Sequence, residues 1–179
     1  MANSVLICVA LAIMASLGYA QNSPFADTSL TIGDKTITIR YSAPSVRGRK
    51  IFGDGGLISH DPTYPVWRAG ANAATALHTD ADLDIQGLRV PAGDYTLFVN
   101  LADPDHWELI VSKDTKEWGL AYKKDMDLGR VKMKMSKPPA PVEVYKMTLP
   151  STGGHSGKLR LEWENHIASV SFTMKRMTP

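Results

Sequence analysis

The stretch Thr36-Ile37-Thr38-Ile39-Arg40-Tyr41 decides the fold class. Polar and apolar side chains alternate one by one, so an extended chain there has one greasy face and one wet face. β-Branched residues dominate the stretch, which suits a pleated strand better than a helix. Leu30 to Ile32 precede it across Gly33-Asp34, a pair fit for a tight turn.

The same rhythm recurs along the chain. Leu83 and Ile85 alternate with Asp82 and Asp84 until Gly87 breaks the run. Tyr95, Leu97 and Val99 alternate with Thr96, Phe98 and Asn100, a strand greasy on both faces over part of its length. Trp107, Leu109 and Val111 alternate with Glu108, Ile110 and Ser112. Leu159, Leu161 and Trp163 do so with Lys158, Arg160 and Glu162, and Ala168, Val170 and Phe172 with Ile167, Ser169 and Ser171. Weaker patterns run from Ala73 to Thr79 and through Val142, Val144 and Met147. Val131, Met133 and Met135 alternate with lysines, which predicts one edge strand whose charged face discourages pairing with other chains. Pro91 with Gly93, Asp103-Pro104-Asp105 and Thr152 to Gly157 are turns. Residues 113–129 lack a period and predict a long loop with room for a short helix.

Roughly nine short strands at sandwich spacing predict an all-β chain, two antiparallel sheets packed face to face. A closed β-barrel is the alternative. No amphipathic helix exceeds two turns, and no internal repeat is visible.

The first twenty residues carry no charged side chain. Val5 to Leu17 is an apolar run, followed by Gly18-Tyr19-Ala20, a small-x-small cleavage pattern. The run is short of the ~20 residues that span a bilayer. The expected organisation is a signal peptide over 1–20 and a single β-sandwich domain over 21–179. This places the mature chain in the periplasm or outside a bacterial cell, with no membrane span after cleavage. The only cysteine, Cys8, falls inside the export segment, so the mature chain has no thiol for disulfides, thiolate chemistry or thiolate metal ligation. Twenty basic and 18 acidic side chains give a net charge of +2, which offers nucleic acid no basic footprint.

Residues 46–75 hold the most specialised chemistry. Arg47, Arg49 and Arg68 offer forked donors for an anion or carboxylate, or for carbonyls of the loop itself and for Asp82 or Asp84. Trp67 and Trp118 lie in loops, where their rings suit stacking on a flat ligand; Trp107 and Trp163 lie on alternating strands, where core packing is expected. Arg47, Arg49, Trp67, Arg68, Asn72, Trp118 and Tyr122 are therefore the candidate ligand-binding residues. The five histidines include no metal-hydrolase spacing, although His60, Asp61 and His78 are candidates to assemble in space. The pairs Asp82/Asp84 and Asp125/Asp127 lack the loop of a calcium motif. Gly153 to Lys158 has the wrong count for a phosphate loop. No metal or cofactor is expected, and the catalytic residues, if there is catalysis, are not identified.

The chain resembles a bacterial exported family, the domain of unknown function 2911 family. The residues that carry the likeness are Arg47-Gly48-Arg49-Lys50-Ile51-Phe52-Gly53, Tyr64, Val66-Trp67-Arg68-Ala69-Gly70-Ala71-Asn72 and Ala74-Thr75. It continues through Asp82, Gly87, Pro91-Ala92-Gly93, Tyr95, Trp107, Lys113, Trp118-Gly119, Tyr122, Arg130 and Trp163. The sequence departs from that pattern after Gly53, where it is more polar, and at Ala73, where the family typically has glutamate. The resemblance implies an exported β-rich fold and no established activity.

The expected function is a non-catalytic binding or interaction module of the cell envelope. Its partner would be a small molecule, a glycan or an envelope protein. The alternatives are an envelope hydrolase with an acid or histidine near the 47–72 loop, and a structural module that adds strands to a partner.

Overall fold

The computed structural model describes residues 23–115 and 120–175. Residues 1–20, expected to be a signal peptide, and Trp118 lie outside the described residues. Among those described there is no α-helix, only single 3-10 turns at Leu57–His60 and Lys124–Met126.

The strands are β1 (Phe25–Ile32), β2 (Lys35–Ser42), β3 (Val66–Trp67), β4 (Thr75–Thr79), β5 (Leu83–Ile85), β6 (Leu88–Val90) and β7 (Gly93–Asn100). They continue as β8 (Glu108–Ser112), β9 (Asp127–Lys132), β10 (Lys134–Ser136), β11 (Val142–Thr148), β12 (Ser151–Gly153), β13 (Ser156–Glu164) and β14 (His166–Met174). Two antiparallel sheets of seven strands result. The first runs β1-β2-β4-β7-β8-β9, with β3 on β7; the second runs β11-β13-β14-β5-β6, with β10 on β14 and β12 on β13. This is the expected sandwich, and the sheets do not close into a barrel.

The alternation does the folding work. Ile37 and Ile39 of β2, Leu97 and Val99 of β7 and Leu109 and Val111 of β8 line the inside of the first sheet. Leu159 and Leu161 of β13 and Val170 and Phe172 of β14 meet them from the second. Phe98 and Ile110 point the other way and form a small separate cluster with Val66, roofed by Tyr122. This explains why β7 reads as greasy on both faces.

Corners that carry the chain between sheets are pinned by side chains. Thr79 is buried, and its hydroxyl donates to the Ala81 carbonyl at 2.7 Å where β4 leaves for β5. The Tyr95 hydroxyl donates to the Pro91 carbonyl at 2.9 Å where β6 leaves for β7. Gln86 and Gly87 both take positive φ in the two-residue turn of the β5–β6 hairpin, which is why glycine ends that run.

The structure corrects four local expectations. There are fourteen strands among the described residues, because β3, β6, β10 and β12 have only two or three residues, too few to show a period. The Val131–Met135 edge strand is two strands in different sheets: Val131 pairs with Leu109, and Met135 pairs with Ala168. Between them the Met133 N–H donates to the Trp107 carbonyl at 2.8 Å, and the chain crosses without breaking its alternation. Val144 does not face inward but is exposed, because a register shift between Val142 and Lys146 turns Tyr145 and Met147 into the core. The loop after β8 ends at Met126, since Asp127 to Gly129 already pair in β9.

Candidate functional site

The 46–75 segment is irregular, and most of its costly polar groups hold it to the sheets. Arg49 donates to backbone from two of its nitrogens, Nε to the Val46 carbonyl at 3.0 Å and Nη2 to that of Ser45 at 2.7 Å. Arg68 is buried and reaches the Asn72 carbonyl at 3.1 Å and the Asp61 carboxylate at 2.9 Å. Its carboxylate partner is thus Asp61, not Asp82 or Asp84; Asp82 pairs with Arg89 instead. The Asn72 side chain donates to the Ser23 carbonyl, and the residue takes a positive φ of 58°, which asparagine tolerates well. Arg47 is exposed, has a φ of 49°, and gives its backbone N–H to Glu143 Oε1 at 2.9 Å.

Trp67 is 1% exposed and has no face left for a ligand. Its ring meets Phe52, Tyr145 and Trp163 at centroid distances of 5.6, 5.2 and 5.9 Å, and its Nε1–H donates to the Gly70 carbonyl. Tyr122 lies on the outer face of the first sheet, edge-on to Phe98 at 5.2 Å. Its hydroxyl donates to the Asp127 carboxylate and accepts from Arg130. Burial first, and then the Asp127 carboxylate, push its phenol up to about 12. These residues are spread over separate places: Arg68 and Asn72 share one loop, Tyr122 sits on the far side of the sheet, and Trp67 is in the core.

What the same segment does build is a cleft at one end of the sandwich. Phe52, Gly53, Asp54, Ile58 and Tyr64 come from the segment, Leu101, Ala102, Pro104 and Trp107 from the turn between β7 and β8, and His166 from the start of β14. The cleft has a volume of about 260 Å³. That is room for one six-membered ring with a short substituent, since an apolar cavity of ~150 Å³ already holds benzene. Larger hollows of about 420, 460 and 500 Å³ lie over strand faces and turns richer in exposed polar side chains. This cleft combines several buried apolar walls with a few convergent polar groups, the usual make-up of a ligand site.

Its chemistry centres on His166. The imidazole stacks on Trp107 at 5.3 Å with 17° between planes, and Phe52 meets it at 4.9 Å and 67°. Its Nδ1 is sealed from solvent and faces Glu164 Oε2 at 3.4 Å, which is long for a hydrogen bond. The other carboxylate oxygen of Glu164 accepts the Ile51 N–H at 3.1 Å and so ties the segment to the β13–β14 hairpin. Glu164 occupies the first position of that hairpin's two-residue turn with φ 52°, a left-handed conformation that glutamate adopts at a cost. Burial pushes the His166 imidazole below its ordinary range, and the Glu164 carboxylate offsets this only in part. The ring is therefore neutral near pH 7, and Nε2 is its one polar atom not sealed.

The three residues singled out for a spatial cluster do not form one. His60 Nδ1 lies 2.9 Å from the Gly56 carbonyl and Asp61 holds Arg68, while His78 stands on β4 between Asp94, at 2.7 Å, and Asp80, at 3.2 Å. Those two carboxylates raise the His78 pKa. Among the described residues no group of three or more His, Cys, Asp or Glu side chains is placed to hold a metal ion.

Reading the sequence missed the cleft residues, and His166 above all. One signal was present: His166 shares the parity of Ala168, Val170 and Phe172, so the alternation already turns it toward the inside.

Fold and cleft together define an antiparallel β-sandwich whose one end opens into an apolar, aromatic-walled hollow. A family model described as "Protein of unknown function (DUF2911)" matches residues 23–172, and the chain belongs to that family. No curated protein and no solved structure matches it.

Proposed function

We propose that this protein is an exported, non-catalytic binding module of the bacterial cell envelope, and that its cleft takes a small ligand with one apolar ring. The observation that carries this reading is the hollow between Phe52, Ile58, Leu101 and Trp107, with His166 Nε2, Asp54 and Tyr64 as its polar groups. Export is supported by the uncharged apolar run from Val5 and the small-x-small pattern at Gly18 to Ala20. Arg49 and Arg68, two of the three arginines that first suggested a site, are committed to the loop, so the ligand meets the apolar side of the segment instead.

Two measurements test it. N-terminal sequencing of exported protein should begin at Gln21; a product retaining Met1 defeats the export claim. Single-ring fragments should raise the melting temperature, since a ligand at 100 times its Kd adds ~2.7 kcal/mol, or roughly 5–11 °C for a chain of this size. Ala102 is exposed at the rim, and Ala102→Arg should plug the cleft and cancel the shift without unfolding the chain. Shifts that persist in this variant, or none across a fragment panel, refute the cleft as the site.

A second reading rests on the same geometry. A neutral imidazole with a carboxylate behind Nδ1 is the arrangement of a general base and its orienting group, which would serve an envelope hydrolase. Ester or amide turnover that vanishes in His166→Gln would establish it.

A further inference from the structure

We propose that the ligand of this cleft is an organic cation, an amine or quaternary ammonium carried on one apolar ring; the inference rests on the binding reading above. Among the ten residues lining the cleft Asp54 is the only one with a fixed charge, and none is a lysine or arginine. Four of the ten are Phe52, Tyr64, Trp107 and His166, whose ring faces carry the negative end of the aromatic quadrupole. A second carboxylate, Glu164, stands behind the His166 ring, 3.4 Å from Nδ1. A third group borders the mouth, where Pro104 of the Asp103-Pro104-Asp105 turn lines the cleft.

The basic groups nearby, Lys50, His106 and Lys137, do not line the cleft. The Lys50 ammonium is engaged by the Asp54 carbonyl at 2.6 Å, and His106 by Asp103 at 2.9 Å. Lys137 is near enough to His166 to act on its charge but does not line the cleft. An anion entering this hollow would shed water and meet carboxylates and π-faces, with no guanidinium or ammonium in the lining to compensate. A cation exchanges its hydration for the same groups, and its apolar body buries against Ile58 and Leu101. The neutral state of His166, which burial enforces, leaves this balance undisturbed near pH 7.

Three ligands with the same ring and different charge test the proposal: benzyltrimethylammonium, benzyl alcohol and phenylacetate, titrated calorimetrically into the full mature chain at low salt. Benzyltrimethylammonium should bind about tenfold tighter than benzyl alcohol, an ordinary margin for cation–π attraction aided by a carboxylate, with phenylacetate weakest. Asp54 is exposed and pairs through its backbone, so Asp54→Asn should fold normally and lose most of that margin. Equal or tighter binding of phenylacetate, or an Asp54→Asn variant with the margin intact, overturns the cation. Benzyl alcohol matching the cation, with both blocked by Ala102→Arg, also overturns it and leaves the binding cleft standing. Failure of all three ligands to bind overturns the cleft reading as well.

Discussion

Glu164 joins three features at one residue, and its replacement separates them. Its carboxylate accepts the N–H of Ile51, a residue with no exposed surface; its other oxygen faces His166; and its backbone sits at φ 52°. Glu164→Ala removes the acceptor and leaves a buried donor unpaired, which costs about 1–3 kcal/mol. The left-handed penalty is the same for alanine as for glutamate, so it cancels in that comparison. Glu164→Gly loses the same acceptor but is released from a backbone cost of about 1–2 kcal/mol, offset by about 0.4–1 kcal/mol of extra freedom in the unfolded chain. Glu164→Gln keeps an oxygen for Ile51 and gives up only the charge assistance, about 1 kcal/mol. The expected stability order is wild type, Gln, Gly, Ala. Urea denaturation at pH 8 reads it with His166 neutral in folded and unfolded chains alike. A loss of 2 kcal/mol moves the midpoint by about 1 M at an m-value near 2 kcal/mol/M. An alanine variant as stable as wild type would show that the carboxylate does not fasten the 46–75 segment. An alanine variant more stable than glycine would refute the left-handed turn.

Gly56→Ala should be among the most damaging glycine changes, because a Cβ there would sit 2.6 Å from the Ile51 carbonyl oxygen and 2.8 Å from that of Phe52. Backbone cannot swing aside as a side chain can, so a loss of about 1–3 kcal/mol is expected together with weaker ligand binding at the neighbouring cleft; calorimetric unfolding checks it, and an unchanged melting temperature contradicts it. The two perturbed histidines should pull stability in opposite directions with pH. The His78 pKa is raised by Asp94 and Asp80, so its contribution is complete below the unfolded value of 6.5 and fades as pH rises through the folded one. His166 is lowered by burial, so the folded chain loses stability as pH falls from 6.5 toward its folded pKa. Proton NMR of the two imidazoles should place His78 above 6.5 and His166 below it, and Asp94→Asn should return His78 toward the ordinary value; identical titrations would refute both environments.

The sandwich was legible because its information is local. Thr36 to Tyr41 or Lys158 to Trp163 declare two faces within six residues, and any extended chain must bury one of them. What escaped was set by contacts distant in sequence. Alternation runs unbroken through Met133, and only the Trp107 carbonyl, twenty-six residues upstream, marks where the chain changes sheet. Val144 alternates properly with its neighbours, yet a bulge inverts it. The three arginines and Trp67 stood out because their side chains are expensive to order, and expense cannot distinguish a group aimed at a ligand from one aimed at a stray carbonyl. Phe52, Leu101, Trp107 and His166 looked ordinary because they come from three separate stretches of chain, and the hollow they share exists only once both sheets have packed. In the proposed binding role the 46–75 segment therefore acts indirectly. Its polar groups satisfy its own backbone, and that satisfaction is what allows a loop without regular hydrogen bonding to present Phe52 and Ile58 as a firm apolar wall.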